Sequence, residues 1–543
     1  MHLRAAALLS LLLAVPGARA ADLVLHDGAV YTLNDKQPWT SAVVIHDGRI
    51  AYVGDEAGLK PYLSGAHVID LHGAMVLPGF HDAHIHPMSG AMRLLQCNLS
   101  DAKTLQDVEK AVKADAAAMP AHPWVFCNGV PEALGAKLTR QMLDAWSPDK
   151  PAFVRTASGF TAWANSKALA AGGLDPKDTA LLKGDVTSLV RNQVPVPSEG
   201  EYREALRRAS VMANRAGITS VFDAAAEPDM LTAYHHADQA DELTLRVVAA
   251  QRIDPDLGVK QVNDFIQRRD AVQGHRFRAD AAKIFMDGEI SEHTAAMLAP
   301  YADAPDSRGL VYDPYQITAI DDIVKRLDAT GFLIHFHAMG DAAVRAALDA
   351  LEKAEQADGA QDRRDQIAHD GVVDPADIPR FGKLGVTANF SSIWFQAGDP
   401  PSAPTLAALG PERTKWMFPI ASIAKAGGRL TGGSDWPQLS MAPLDYIQYA
   451  VTRQPLDGSK PPLQPEQRIT LAQAILAYTK DAAWAVREDK LDGTLEVGKA
   501  ADIVVLDQNL FKIDVMSIHN THVLLTLLDG APVYRDPAFV WPQ

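Results

Sequence analysis

Cysteine is almost absent: Cys97 and Cys127 are the only two in 543 residues. Two thiols cannot make a disulfide framework, and neither has zinc-knuckle spacing, so a cysteine-based metal site is excluded. Whether the two pair in an oxidising compartment or are each simply buried, the sequence leaves open. An excess of basic residues is missing too. Lys and Arg number 51 against 67 Asp and Glu, a net charge of −16, which disfavours nucleic acid and anionic membrane surfaces as partners. There is no block of like charge and no low-complexity tract, hence no sign of a disordered interaction tail. Past residue 20 no apolar run is long enough to span a bilayer. What remains is 47% hydrophobic and 22% charged, an ordinary folded composition. Its length suits several domains, or one barrel with accessory parts.

The first twenty residues, "MHLRAAALLSLLLAVPGARA", stand apart. Arg4 gives a basic start, an apolar stretch runs to Val15, and Pro16-Gly17 ends any helix. Ala18 and Ala20 supply the small residues that a signal peptidase reads. Cleavage after Ala20 is expected, leaving a mature protein that is periplasmic or secreted.

From Ala21 to Leu77, short alternating strands are broken by Asp27-Gly28, Asp47-Gly48 and His72-Gly73, and the C-terminal end repeats the style around Asp529-Gly530. Residues 21–77 and 488–543 are therefore expected to meet in one small β-sandwich domain. Between them, buried strands alternate with helical patterns: "AMVLPGF", "GITSVFDA", "TLRVVAAQ", "AAKIFMDG", "GFLIHFHAMG", "DQIAHDG", "GVTANFSS" and "GRLTGGSDWP". Eight such units in series are the sequence form of an α/β (β/α)8 TIM-like barrel over residues 78–487, whose active site lies at the C-terminal strand ends. A large insertion, about 100–200, follows the first strand and is placed to cover that mouth.

The stretch "MVLPGFHDAHIHP" puts three histidines and an aspartate within six residues. Other strand ends add to it: Lys283, then His335 and His337, then His369, then Asp435. One histidine at a strand end is more often a hydrogen-bonded structural residue than a ligand. Several strands offering imidazole or carboxylate at one rim is the pattern a divalent metal needs, with a position left for water. Lys283 has its own plain reading, an ion pair with an interior carboxylate such as Asp287 or Asp223. Ser434 and Ser158 have no elbow and no dedicated histidine, so a serine triad is not expected.

"PGFHDAHIHP", "KIFMDG…TAAMLAPY", "HFHAMGDAAV", "IAHDGVVDPADIPRF", "GGSDWP" and "GTLEVGKAADIVVLD" occur in this order along nearly the whole chain. Together they resemble the amidohydrolase superfamily, and within it the YtcJ-like group of amidohydrolase family 3. The resemblance implies that His84 and His86 hold one metal and His337 and His369 a second. Lys283 would be carboxylated and bridge the two, and Asp435 would touch the first metal and move protons. It implies two Zn2+, with Fe2+, Mn2+ or Ni2+ also compatible. His335 falls outside the ligand set as a support, and His81 is structural. There are departures: Phe160, Ala368 and His293 stand where the family often has His, Glu and Arg, and these touch substrate recognition more than the metal set.

The reaction so implied is hydrolysis of a non-peptide or small acyl C–N bond, with Asp435 as general acid and base. A mononuclear deaminase, an esterase or lactonase, and a non-catalytic exported binding or regulatory protein are the competing readings. The expected partner is a small molecule, with homodimer formation left open. Trp163, Trp394, Phe395 and Trp436 are the aromatic residues available to line its pocket.

Overall fold

A computed structural model describes residues 23–541 apart from 96, 119–122, 157–160, 176, 178–180, 184, 360–361, 397–402 and 439. The segment expected to be cleaved and Phe160 lie outside these. The centre is an eight-stranded parallel sheet formed by β1 (Phe80–Ile85), β2 (Ile218–Ala226), β3 (Arg246–Arg252), β4 (Phe277–Phe285), β5 (Leu333–Ala338), β6 (Gln366–His369), β7 (Thr387–Phe390) and β8 (Arg429–Gly432), paired in sequence order. Just beyond β8 the ring closes on β1: the Asp435 N–H donates to His84 O at 2.7 Å and the His86 N–H to Trp436 O at 2.9 Å. The strands are β-branched and alanine-rich and buried on both faces, as helices outside and side chains inside require. Helices between strands carry clear start signals. Ser198 with Glu201 and Asp313 with Gln316 form capping boxes for Glu199–Arg215 and Pro314–Ala329.

The first barrel strand differs from the sequence expectation. "AMVLPGF" is not one strand. Met75–Pro78 pairs antiparallel with Ile503–Leu506, and the barrel begins at Phe80. Gly79 makes the crossing: its N–H donates to Asp502 O at 2.9 Å, and a Cβ there would lie 2.2 Å from Thr219 Oγ1. Two apolar runs separated by a residue without a side chain look like one in sequence.

Both chain ends contribute to two further sheets. One has the order Arg49–Gly54, Ala42–His46, Leu23–His26, His67–Asp70; the other runs Ala531–Arg535, Val523–Leu528, Ile503–Leu506, Met75–Pro78, Ala29–Tyr31, Trp39–Thr40. Leu25, Val43 and Ile45 of the first pack with Val76, Ile503, Val505 and Leu525 of the second. Beneath the barrel, Arg246 at the start of β3 joins these sheets to it. Its guanidinium donates to Asp502 at 2.7 and 3.2 Å and to Asp529 at 2.5 Å.

The insertion has its own five-stranded sheet, in the order Leu181–Lys183, Thr161–Ala164, Ala152–Arg155, Val125–Asn128, Cys97–Asn98. Cys97 and Cys127 are register partners in its edge pair and form a disulfide, which decides the question that the sequence left open.

Candidate metal centre

Alternation along β1 sends Asp82, His84 and then His86 to the same side, into the barrel mouth. His335 and His337 share a face of β5 by the same rule, and Lys283 on β4 is the register partner of His335. His369 ends β6, and Asp435 lies three residues past β8. Both adopt left-handed backbone, with φ of 78° and 53°, a conformation that non-glycine residues keep only where the surroundings fix it.

His84, His369 and Asp435 each place a ligand atom within 4.8 Å of the other two. His84 Nε2 lies 3.6 Å and His86 Nε2 3.4 Å from Asp435 Oδ1, so one carboxylate oxygen serves both imidazoles of the "HIH" pair. The His337 ring is 4.5 Å from that of His369, while its Nε2 approaches Gly288 O at 3.3 Å. His335 is bonded through Nε2 to His84 Nδ1 at 2.9 Å, which leaves His84 Nε2 for the centre. Five of the six residues that the sequence nominated thus surround one small volume. The sixth, Lys283, is buried beside them and acts on them by its charge.

Burial, followed by the Lys283 charge, drives the pKa of His84 and His335 well below the ordinary value and that of His337 down to about 3. Burial and then the His337 neighbour do the same to His369. These imidazoles are neutral, with lone pairs free to bind a cation. Lys283 is lowered to about 7 by burial, opposed by Asp435. Neither carboxylate offered as its partner pairs with it. Asp287 accepts the N–H groups of Ala296, Met339 and Gly340 at 2.8–3.0 Å, and Asp223 accepts Tyr234 Oη–H at 2.9 Å. Neutral imidazoles facing a carboxylate, beside a buried amine with no carboxylate partner among the described residues, fit a divalent cation.

Sequence reasoning missed two supports. Asp82 accepts the Ser434 N–H at 2.9 Å and the His84 N–H at 3.3 Å, tying the end of β1 to the segment that carries Asp435. Gly433 is the other: a Cβ there would lie 2.5 Å from His84 Cβ. The Gly-Gly of "GGSDWP" signalled such a close approach. Other nominated residues lie elsewhere. His81 points to the barrel floor, 3.4 Å from Asp492, and His293 pairs with Asp303 at 2.7 Å. Trp163 is in the insertion's own core and Phe395 packs between Phe390 and Phe418, so neither is available as a pocket wall.

A profile of the amidohydrolase family matches residues 67–534, most of the chain. The chain belongs to the amidohydrolase family. This amidohydrolase is 28% identical to the putative amidohydrolase YtcJ of Bacillus subtilis, over 94% of this chain and 99% of that one. It is 25% identical to the N-substituted formamide deformylase of Arthrobacter pascens, over 95% and 98%. Its fold matches a metal-dependent hydrolase from Pyrococcus horikoshii with a TM-score of 0.76 at 23% identity, covering 91% of this chain and 99% of that one. The amidohydrolase is accordingly a metal-dependent hydrolase of carbon–nitrogen bonds on a TIM-like barrel.

Proposed function

We propose that this amidohydrolase cleaves a small, non-peptide acyl C–N bond, with N-substituted formamides and related amides as the substrate class. The reading is carried by the convergence of His84, His369 and Asp435 within 4.8 Å of one another at the barrel mouth. The full-length likeness to an N-substituted formamide deformylase supports the choice of bond. His84, His86 and Asp435 would hold one divalent ion and His337 and His369 a second, both Zn2+, with Lys283 as a carboxylated bridge. An amine brought down to about 7 is partly neutral near neutral pH, and only a neutral amine adds carbon dioxide. Such ions supply an acidified water and a Lewis acid for the carbonyl oxygen.

The chain's own groups do the rest. Asp435, placed within 3.6 Å of both the His84 and His86 imidazoles, takes the proton of the attacking water and returns it to the leaving nitrogen. His335 holds the His84 ring through Nδ1 and so fixes which nitrogen faces the centre. Asp82 keeps the Asp435 segment in register with β1.

Export to an oxidising compartment is part of this reading, supported by the leader-like first twenty residues and the Cys97–Cys127 disulfide. The mature N-terminus should be Ala21; a secreted form that retains Met1 would contradict it. The decisive test of the reaction is a screen of the metal-replete enzyme against N-substituted formamides, other N-acyl amines, esters and lactones. Formamide or amide turnover that exceeds ester turnover is expected. Ester or lactone hydrolysis alone would replace the proposed bond with another on the same fold.

A further inference from the structure

A cavity of about 160 Å³ opens between the barrel and the insertion, lined by Arg93, Arg155, Asn98, Asn128 and Trp436, the residue after Asp435, among others. Its walls continue the two segments that carry the ligands. Arg93 lies on the helix Pro87–Leu95, which follows His86 directly, and Trp436 follows Asp435. The indole lies against bare helix backbone: a Cβ on Gly90 would come within 2.2 Å of it. From the insertion, Asn98 and Asn128 each follow a cysteine of the disulfide, and Arg155 ends its strand.

Most buried or half-buried guanidiniums of this chain are held by fixed acceptors: Arg246, Arg363 and Arg380 by carboxylates, and Arg453 and Arg413 by carbonyl oxygens. Neither Arg93 nor Arg155 forms an ion pair with a carboxylate among the described residues, and the one carboxylate that acts on Arg93 is that of Asp435 at the metal centre. Arg155 donates from Nε to Asn128 Oδ1 at 2.5 Å and stacks on Phe126 at 5.1 Å, an arrangement that orients the fork, and among the described residues no acceptor meets its outer N–H groups. Burial, and then the Arg191 and Arg93 charges, bring Arg155 down to about 10. Two guanidiniums lining one cavity of a −16 protein repel each other, a repulsion that an oxyanion bound between them would relieve.

We infer that the cavity lined by Arg93 and Arg155 is a specificity site that binds a carboxylate of the substrate, so that the preferred substrates are amides bearing a carboxylate on the side away from the scissile bond. This rests on the proposed C–N hydrolysis and names its substrate class. The cavity admits a carboxylate and a few carbons, with the remainder of the substrate passing Trp436 toward Asp435.

Two measurements test it. In the first, kcat/KM is compared for a series of N-formyl-ω-amino acids and for the same compounds as terminal carboxamides. The wild type should favour the acids, and Arg93→Gln with Arg155→Gln should lower that preference roughly 10- to 100-fold, the scale of losing hydrogen bonds to a charged group. A wild-type enzyme indifferent to the carboxylate, or a double variant that keeps the preference, overturns the assignment. In the second, succinate and inorganic phosphate are titrated calorimetrically into the wild type and the double variant, with metal content measured as a check on folding. Succinate binding lost in the variant supports the site, whereas binding of phosphate alone, or succinate binding unchanged by the substitutions, overturns it. If no amide is cleaved, charged or neutral, the proposed reaction fails while the succinate titration still decides the cavity.

Discussion

Asp435→Asn is expected to lower amide turnover roughly a hundred- to ten-thousandfold, the usual span for removing a positioned general acid–base group. The residue sits 3.4 Å from His86 Nε2 and 3.6 Å from His84 Nε2, and its backbone N–H is bonded to His84 O. An asparagine keeps that backbone bond, the side-chain volume and one oxygen ligand, so the fold and the bound metal should survive. What it lacks is the ability to take and return a proton. The loss should therefore appear in kcat, with metal content close to the wild-type value. Turnover retained by the variant would remove Asp435 from its role and transfer proton movement to another group at the mouth. Loss of metal together with activity would make it a ligand without showing that it moves protons.

The second large effect is on stability. Arg246→Met should destabilise the protein by about 3–5 kcal/mol, because it removes one partner of a buried charge network and strands the others. Arg246 is 2% exposed and joins Asp502 and Asp529. Asp492, 3.8 Å away, also faces His81. Burial alone would raise Asp529, but Arg246 and then Arg276 hold it below its ordinary 3.8. Its contribution is thus fully present above that value and is lost as pH falls through the depressed one. The stability gap between wild type and variant should be wide at neutral pH and narrow in acid. Adding Asp502→Asn to the variant should restore part of the loss, since it removes a stranded carboxylate. Equal thermal midpoints for wild type and Arg246→Met at neutral pH would show that this junction does not hold the terminal sheets to the barrel.

The site was more legible in the sequence than the structure around it. Ligands at strand ends follow two simple rules, the period of two along a strand and the placement of active sites at one end of a parallel barrel. His84 with His86, and His335 with His337, could be read from those alone. What could not be read were contacts between distant segments. Nothing local shows that Gly79 hands the chain from one sheet to another, or that Cys97 and Cys127 become register partners. Asp82 looked like one more polar residue in a histidine-rich stretch, although its carboxylate links β1 to the segment past β8. Trp163 and Phe395 lie in an insertion and a loop, where the sequence alone suggests pocket aromatics, but tertiary packing puts both into apolar cores. Arg93 and Arg155, 62 positions apart in sequence, carried no signal of meeting. Their significance depends on the cavity that they line together without an ion-pair partner among the described residues, which only a folded arrangement reveals.

The central claim is that His84, His86, Lys283, His337, His369 and Asp435 hold divalent metal at the barrel mouth. Metal content per chain, measured by plasma mass spectrometry on purified protein, tests it most directly. The account predicts two equivalents in the wild type, at most one in Lys283→Ala, and near none in His84→Ala with His369→Ala. A wild-type protein without metal after expression in metal-replete medium, or a double variant that keeps its full complement, would contradict it.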